Sequence, residues 1–147
     1  MKVADLMAKH VEFLEPDATV TDAAAPMREL DVSALPIGAP DKLKGIITDR
    51  DILYRLVAEG KDPRRTTALE IATQLIFSCK PEDELKAAME LMASQNVRRL
   101  PVLDDSQRVV GWLTLSDLSR HLLVESEVMQ TALRGLTDRL DSAVPKS

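Results

Sequence analysis

A chain of 147 residues, 45% of them hydrophobic, holds enough apolar material for one body with its own core. Its net charge of −5, without a long basic run, excludes a surface for duplex nucleic acid, which needs clustered Lys and Arg to displace counterions. No stretch approaches the ~18 uninterrupted apolar residues of a membrane span, and the opening "MKVADLMAKH" is charged, so the expectation is a soluble cytoplasmic protein without a targeting segment or membrane contact. The single cysteine, Cys79, excludes an intrachain disulfide and fits a reducing compartment.

In chain order, "VADLM" reads as a short helical lead-in. A strand follows, then a helix in which Val20, Ala23, Ala24 and Met27 lie at i, i+3, i+4, i+7, the spacing of one buried face. Pro26 falls inside this helix, where it removes a hydrogen bond and crowds the preceding turn, so a kinked or late-starting helix is expected. Two apolar runs around turn residues, "SALPIG" and "LKGIIT", read as paired strands, and a second helix runs from about Asp51 through Glu59. A polar joint, "GKDPRRTT", carries a helix-ending Gly and a Pro.

The same order then repeats. A second lead-in, "ALEIA", precedes a segment aligning without a gap on the first: Pro81 meets Pro16, Pro101 meets Pro36, and Leu85, Ala88, Met89 and Met92 repeat the helical face. "RRLPVLD" and "VVGWLT" supply the strands, and a helix runs from Asp117 to about Glu125. The turn between these strands is one residue longer, after which Thr114 and Asp117 meet Thr48 and Asp51. The fold class is therefore mixed α/β: two tandem β-α-β-β-α units, about 1–60 and 68–125, packed sheet to sheet into one body. A helical tail over 126–147 carries a seam of Met129, Leu133, Leu136 and Leu140 at steps of four and three, weakened by Gly135.

Thr-x-x-Asp after a strand is first of all a capping box, in which hydroxyl and carboxylate satisfy amides at a helix start. Its second copy in register favours a further role. "LPI…GIITDRD" and "LPV…GWLTLSD" together resemble a pair of cystathionine-β-synthase (CBS) domains, and "GIITDRDI…VAEGKDP" resembles the small stand-alone proteins built from one such pair. The resemblance implies an adenosine nucleotide or related adenosyl ligand in the clefts between the repeats, and disc-shaped homodimers.

That chemistry suits the residues. A carboxylate accepts charge-assisted hydrogen bonds from both ribose hydroxyls, while a Thr hydroxyl and the amides of a helix start face a phosphate. In the resembled fold each cleft is walled partly by the other repeat. The Thr48/Asp51 cleft, behind Ile46, would be completed by Ile76, Phe77 and Val97 to Pro101; the Thr114/Asp117 cleft by Val11 within His10 to Phe13 and by Val32 to Pro36, including Ser33. Arg98 and Arg99 stand where the first repeat has Ser33 and Ala34, so the Thr48/Asp51 cleft is expected to gain two phosphate-binding cations and to be the principal site. The bland alternatives are that Arg98 and Arg99 form a solvated edge and that Phe77 belongs to the core.

The remaining residues carry less. His10 and His121 lack ligand-spaced neighbours, so no metal site is read. Cys79 aligns with Leu14 and Trp112 with Ile46, both as core positions. No phosphate loop or nucleophile elbow occurs, so no catalytic residue and no resident cofactor is assigned. The expected function is a sensor or regulatory module binding an adenine nucleotide; the alternative is a dimeric interaction scaffold that binds none.

Overall fold

The computed structural model describes residues 1–125, 131–132 and 134–136. The tail residues Met129, Leu133 and Leu140 lie outside them; Leu136, which is described, is exposed. The first repeat contributes α1 (Val3–Leu6), α2 (Val20–Leu30), β1 (Ala34–Ala39), β2 (Lys42–Thr48) and the short α3 (Asp49–Asp51), which continues as a π-helical stretch, Ile52–Val57. The second contributes α4 (Ala68–Ile71), α5 (Leu85–Gln95), β3 (Arg99–Leu103), β4 (Val109–Thr114) and α6 (Leu115–Glu125).

Each repeat forms one antiparallel hairpin, β1 with β2 and β3 with β4. Both hairpins shift register at the same repeat position, after Ile37 in one and Val102 in the other. In the first, Gly38 takes φ +120°, and a Cβ there would stand 2.2 Å from the Lys42 carbonyl oxygen, so only glycine fits. The two long helices also correspond residue for residue. Pro26 does not delay α2, which starts after the capping box of Thr19 and Asp22 and ends at Leu30, as α5 ends at the equivalent Gln95; each is closed by a left-handed residue, Asp31 and Asn96. The capping box fixes where the helix starts, so Pro26 leaves both ends of α2 where the second repeat has them.

The first strand of each repeat is reduced to isolated bridges that cross between the hairpins. Ala8 bridges to Trp112 of the second repeat and Leu14 to Ile37 of the first; in the mirror arrangement Thr73 bridges to Ile46 and Cys79 to Val102. The lead-in helices consequently change sides. Val3 is fully buried among Leu100, Val102, Leu113 and Leu118 of the second repeat, while Ala68, Ile71 and Ala72 are buried among Val20, Ala23, Ile37 and Ile47 of the first. A repeat of this size leaves much apolar surface open alone, and the exchanged lead-ins cover it. The joint is structured as well: Thr66 is buried, and the carbonyls of Thr66 and Pro63 accept the first amides of α2, Val20 and Thr21.

Candidate functional site

The two Thr-x-x-Asp motifs stand at corresponding places, each where a hairpin runs into a helix, but with different structures. At the first, the capping box is closed. The Asp51 amide donates to Thr48 Oγ1 at 3.1 Å, and the Thr48 amide donates to Asp51 Oδ2 at 3.0 Å. Asp51 is only 7% exposed, and its carboxylate also receives the Thr73 hydroxyl at 3.3 Å and faces Arg55 Nε at 3.9 Å. Arg55 in turn reaches the carbonyls of Ile71 and Ala72 at the end of α4. The local reading of the motif is thus realised here, and both oxygens of Asp51 serve the fold.

At the second motif the box stays half open. The Asp117 amide donates to Thr114 Oγ1 at 3.2 Å, but the carboxylate turns away and takes Arg120 Nη2 through Oδ1 at 2.5 Å. One substitution between the repeats accounts for part of this. The residue bridged to β4 is Ala8 where the residue bridged to β2 is Thr73, so Asp117 lacks the hydroxyl that helps anchor Asp51.

Thr114, Asp117 and Arg120 line an open cleft of about 1030 Å³. Its other walls are His10, Val11 and Glu12 of the crossing segment and Val32 to Pro36 of the first repeat, the grouping expected for this motif. Arg98 and Arg99 line it too, so this cleft has cations, where the repeat alignment predicts none. The register gives the reason: Arg99 pairs with Thr114 across β3 and β4, and the Arg98 carbonyl accepts the Leu115 amide, so the pair is tied to the start of α6. Arg99 then crosses to the first repeat, where Nη2 donates to Ser33 Oγ at 2.8 Å. Burial pushes the Arg99 guanidinium down from its ordinary value, the neighbouring Asp49 raises it, Arg98 lowers it and Asp51 raises it. Arg99 therefore lies within electrostatic reach of the first motif while donating to a neutral hydroxyl in the second cleft.

The remaining expected residues divide. Ile46, Pro36 and Pro101 are buried on the hairpins, and Phe77 is half-buried against the core of the second repeat, in line with its core alternative. The aromatic that lines the open cleft is Trp112. Its alignment with buried Ile46 concealed this, because Trp112 is only half-buried; its size against a β-branched counterpart was the available signal. Among the described residues no three or more His, Cys, Asp and Glu side chains converge as a metal group, and no helix is long and apolar enough to cross a membrane.

Paired hairpins, exchanged lead-ins and a doubled Thr-x-x-Asp define the class: a tandem module of two CBS repeats. The CBS domain profile matches residues 3–58 and 68–124, and the chain belongs to that family. It is 40% identical over 119 residues to Hypoxic response protein 1 of Mycobacterium tuberculosis, covering 80% of this chain and 82% of that protein. A solved structure of Hypoxic Response Protein I, with two coordinated zinc ions, superposes with a TM-score of 0.71 at 38% identity, covering 82% of this chain and 98% of that one. The CBS domain-containing protein YhcV of Bacillus subtilis is 37% identical over 117 residues, again 80% of this chain and 82% of the relative. The CBS domain pair of protein MJ0100, solved with 5′-methylthioadenosine and S-adenosyl-L-methionine, superposes with a TM-score of 0.77 at 28% identity over 86% of this chain and 98% of that one.

Proposed function

We propose that this protein is a regulatory module that binds an adenine nucleotide, and that the principal site is the open cleft at Thr114 and Asp117 rather than the closed motif at Thr48 and Asp51. The observation carrying this reading is that one cleft brings together a Thr-Asp pair at a helix start, two arginines and an aromatic ring. In it Asp117 accepts the ribose hydroxyls, the start of α6 and Arg98 and Arg99 meet phosphate, and Trp112 stacks on the base. Thr48, Asp51 and Ile46 form a second, weaker site.

The adenosyl compounds bound by the MJ0100 pair support the ligand class. The arginines favour a phosphate over a cationic sulfonium within it, since like charges in one cleft repel. The module works as a homodimer. Leu53, Tyr54 and Val57 stand 53%, 54% and 61% exposed on the stretch following Asp51, an apolar face for a second copy to cover; self-association as such is seen in the hexameric CBS-CP12 protein from bloom-forming cyanobacteria.

Trp112 is the chain's single tryptophan, so its fluorescence reports occupancy directly. Titration with AMP, ADP, ATP, S-adenosylmethionine and methylthioadenosine should change that signal. A ligand held at 100 times its Kd should stabilise the fold by about 2.7 kcal/mol. If no adenosine compound at millimolar concentration moves either fluorescence or melting temperature, the scaffold reading stands instead.

A further inference from the structure

We infer that Arg120 sets the ligand preference of the open cleft, holding Asp117 when no anion is present and exchanging it for a phosphate when one binds, so that Asp117 is left free for the ribose and nucleotides are selected over neutral nucleosides. The inference rests on the reading that this cleft takes an adenosine compound. Its basis is the difference between the two motifs. Asp51 is fixed by the Thr48 amide and the Thr73 hydroxyl, whereas Asp117 Oδ1 is taken by Arg120 Nη2 from one turn further along α6.

The Arg120 side chain is 74% exposed, and a pair of that kind is weak, so it opens readily. What replaces it depends on the ligand. A neutral nucleoside that uses the Asp117 carboxylate through its ribose must share the oxygen or strip Arg120 of its partner. A nucleotide gives Arg120 a phosphate in exchange, and the planar guanidinium matches a phosphate at least as well as a carboxylate. Arg120 already lines the cleft with Arg98 and Arg99, so the exchange needs only a side-chain rotation.

The test is calorimetric titration of AMP and adenosine into wild type, Arg120→Gln and Arg120→Lys, with thermal melts confirming that each variant folds. Loss of one charged hydrogen bond to phosphate, together with release of Asp117, should reduce the preference for AMP over adenosine about tenfold in Arg120→Gln. Adenosine itself should bind as well as before or better. Arg120→Lys, which keeps the charge, should retain most of the preference. A merely structural role would weaken both ligands alike, so an unchanged AMP-to-adenosine ratio in Arg120→Gln overturns this inference while leaving the cleft assignment intact. A wild type that binds neither ligand overturns both.

Discussion

Replacing Asp51 by Ala should destabilise the unliganded protein far more than replacing Asp117 by Ala, although the two residues occupy the same repeat position. Asp51→Ala removes the acceptor of the Thr48 amide, a capping contact worth about 1 kcal/mol. It also deprives the half-buried Thr73 hydroxyl of a charged partner, about 1.5–3 kcal/mol, reduced here because the contacts are as long as 3.3 and 3.4 Å. The Arg55 pair adds little, since that side chain is 56% exposed. The sum is about 2–3 kcal/mol. At roughly 2–4 °C per kcal/mol for a chain of this size, the melting temperature should fall roughly 5–10 °C. Asp117→Ala loses only the exposed pair with Arg120, ~0–1 kcal/mol, and should shift the midpoint by no more than ~4 °C. Asp51→Asn, which keeps one acceptor oxygen, should recover part of the loss. Calorimetric melts without ligand decide the matter: equal shifts for the two Ala variants would refute the claim that one motif is closed and the other open. The asymmetry also bears on ligand assays, because weaker binding by Asp51→Ala is interpretable only beside its own unliganded melt.

Other consequences are checked separately. Gly38→Ala places a Cβ against a backbone carbonyl at a positive φ and should cost more than ~2 kcal/mol, whereas Gly60→Ala, at φ +68° with nothing within 4 Å, should cost about 1 kcal/mol; urea midpoints compare them. Burial pushes the Cys79 thiol from 9.0 up to about 11, so its contribution to stability is complete below pH 9 and is lost as pH rises toward 11. Over that window the wild-type melting temperature should fall more steeply than that of Cys79→Ala, and parallel slopes would contradict the burial. Changing both Arg98 and Arg99 to Ala should weaken nucleotide binding about tenfold or more; unchanged affinity by calorimetry would mean that the pair is only a solvated edge.

The helices, hairpins and doubled motif were legible because each is set by local pattern: apolar residues at i, i+3 and i+7, of which Val20, Ala23 and Met27 are buried while Ala24 at i+4 is exposed, turn residues between apolar runs, and Thr three residues before Asp. The exchange of lead-ins was not, because an apolar residue such as Val3 or Ile71 carries no local signal of which core it joins, and only the three-dimensional path decides. The presence of Arg98 and Arg99 at the open cleft was hidden for a related reason. Repeat alignment identified which residues correspond, but the pairing of Arg99 with Thr114 decides which motif they stand beside. The contrast between Asp51 and Asp117 could have been found from the sequence, since Thr73 aligns with Ala8 and only one of them carries a hydroxyl.

The exchanged lead-ins make the two halves an interlocked pair rather than beads on a string. A protease that cuts at exposed Arg64 or Arg65 leaves Val3 seated in the far half and Ile71 in the near one, so the fragments should remain clasped and migrate together under native conditions. The same geometry describes how such a molecule could arise by gene doubling. Two copies of a single ancestral unit, each lending its first turn to the other, need only a peptide joining the end of one to the start of the next, and Lys61 to Thr67 is where that seam lies.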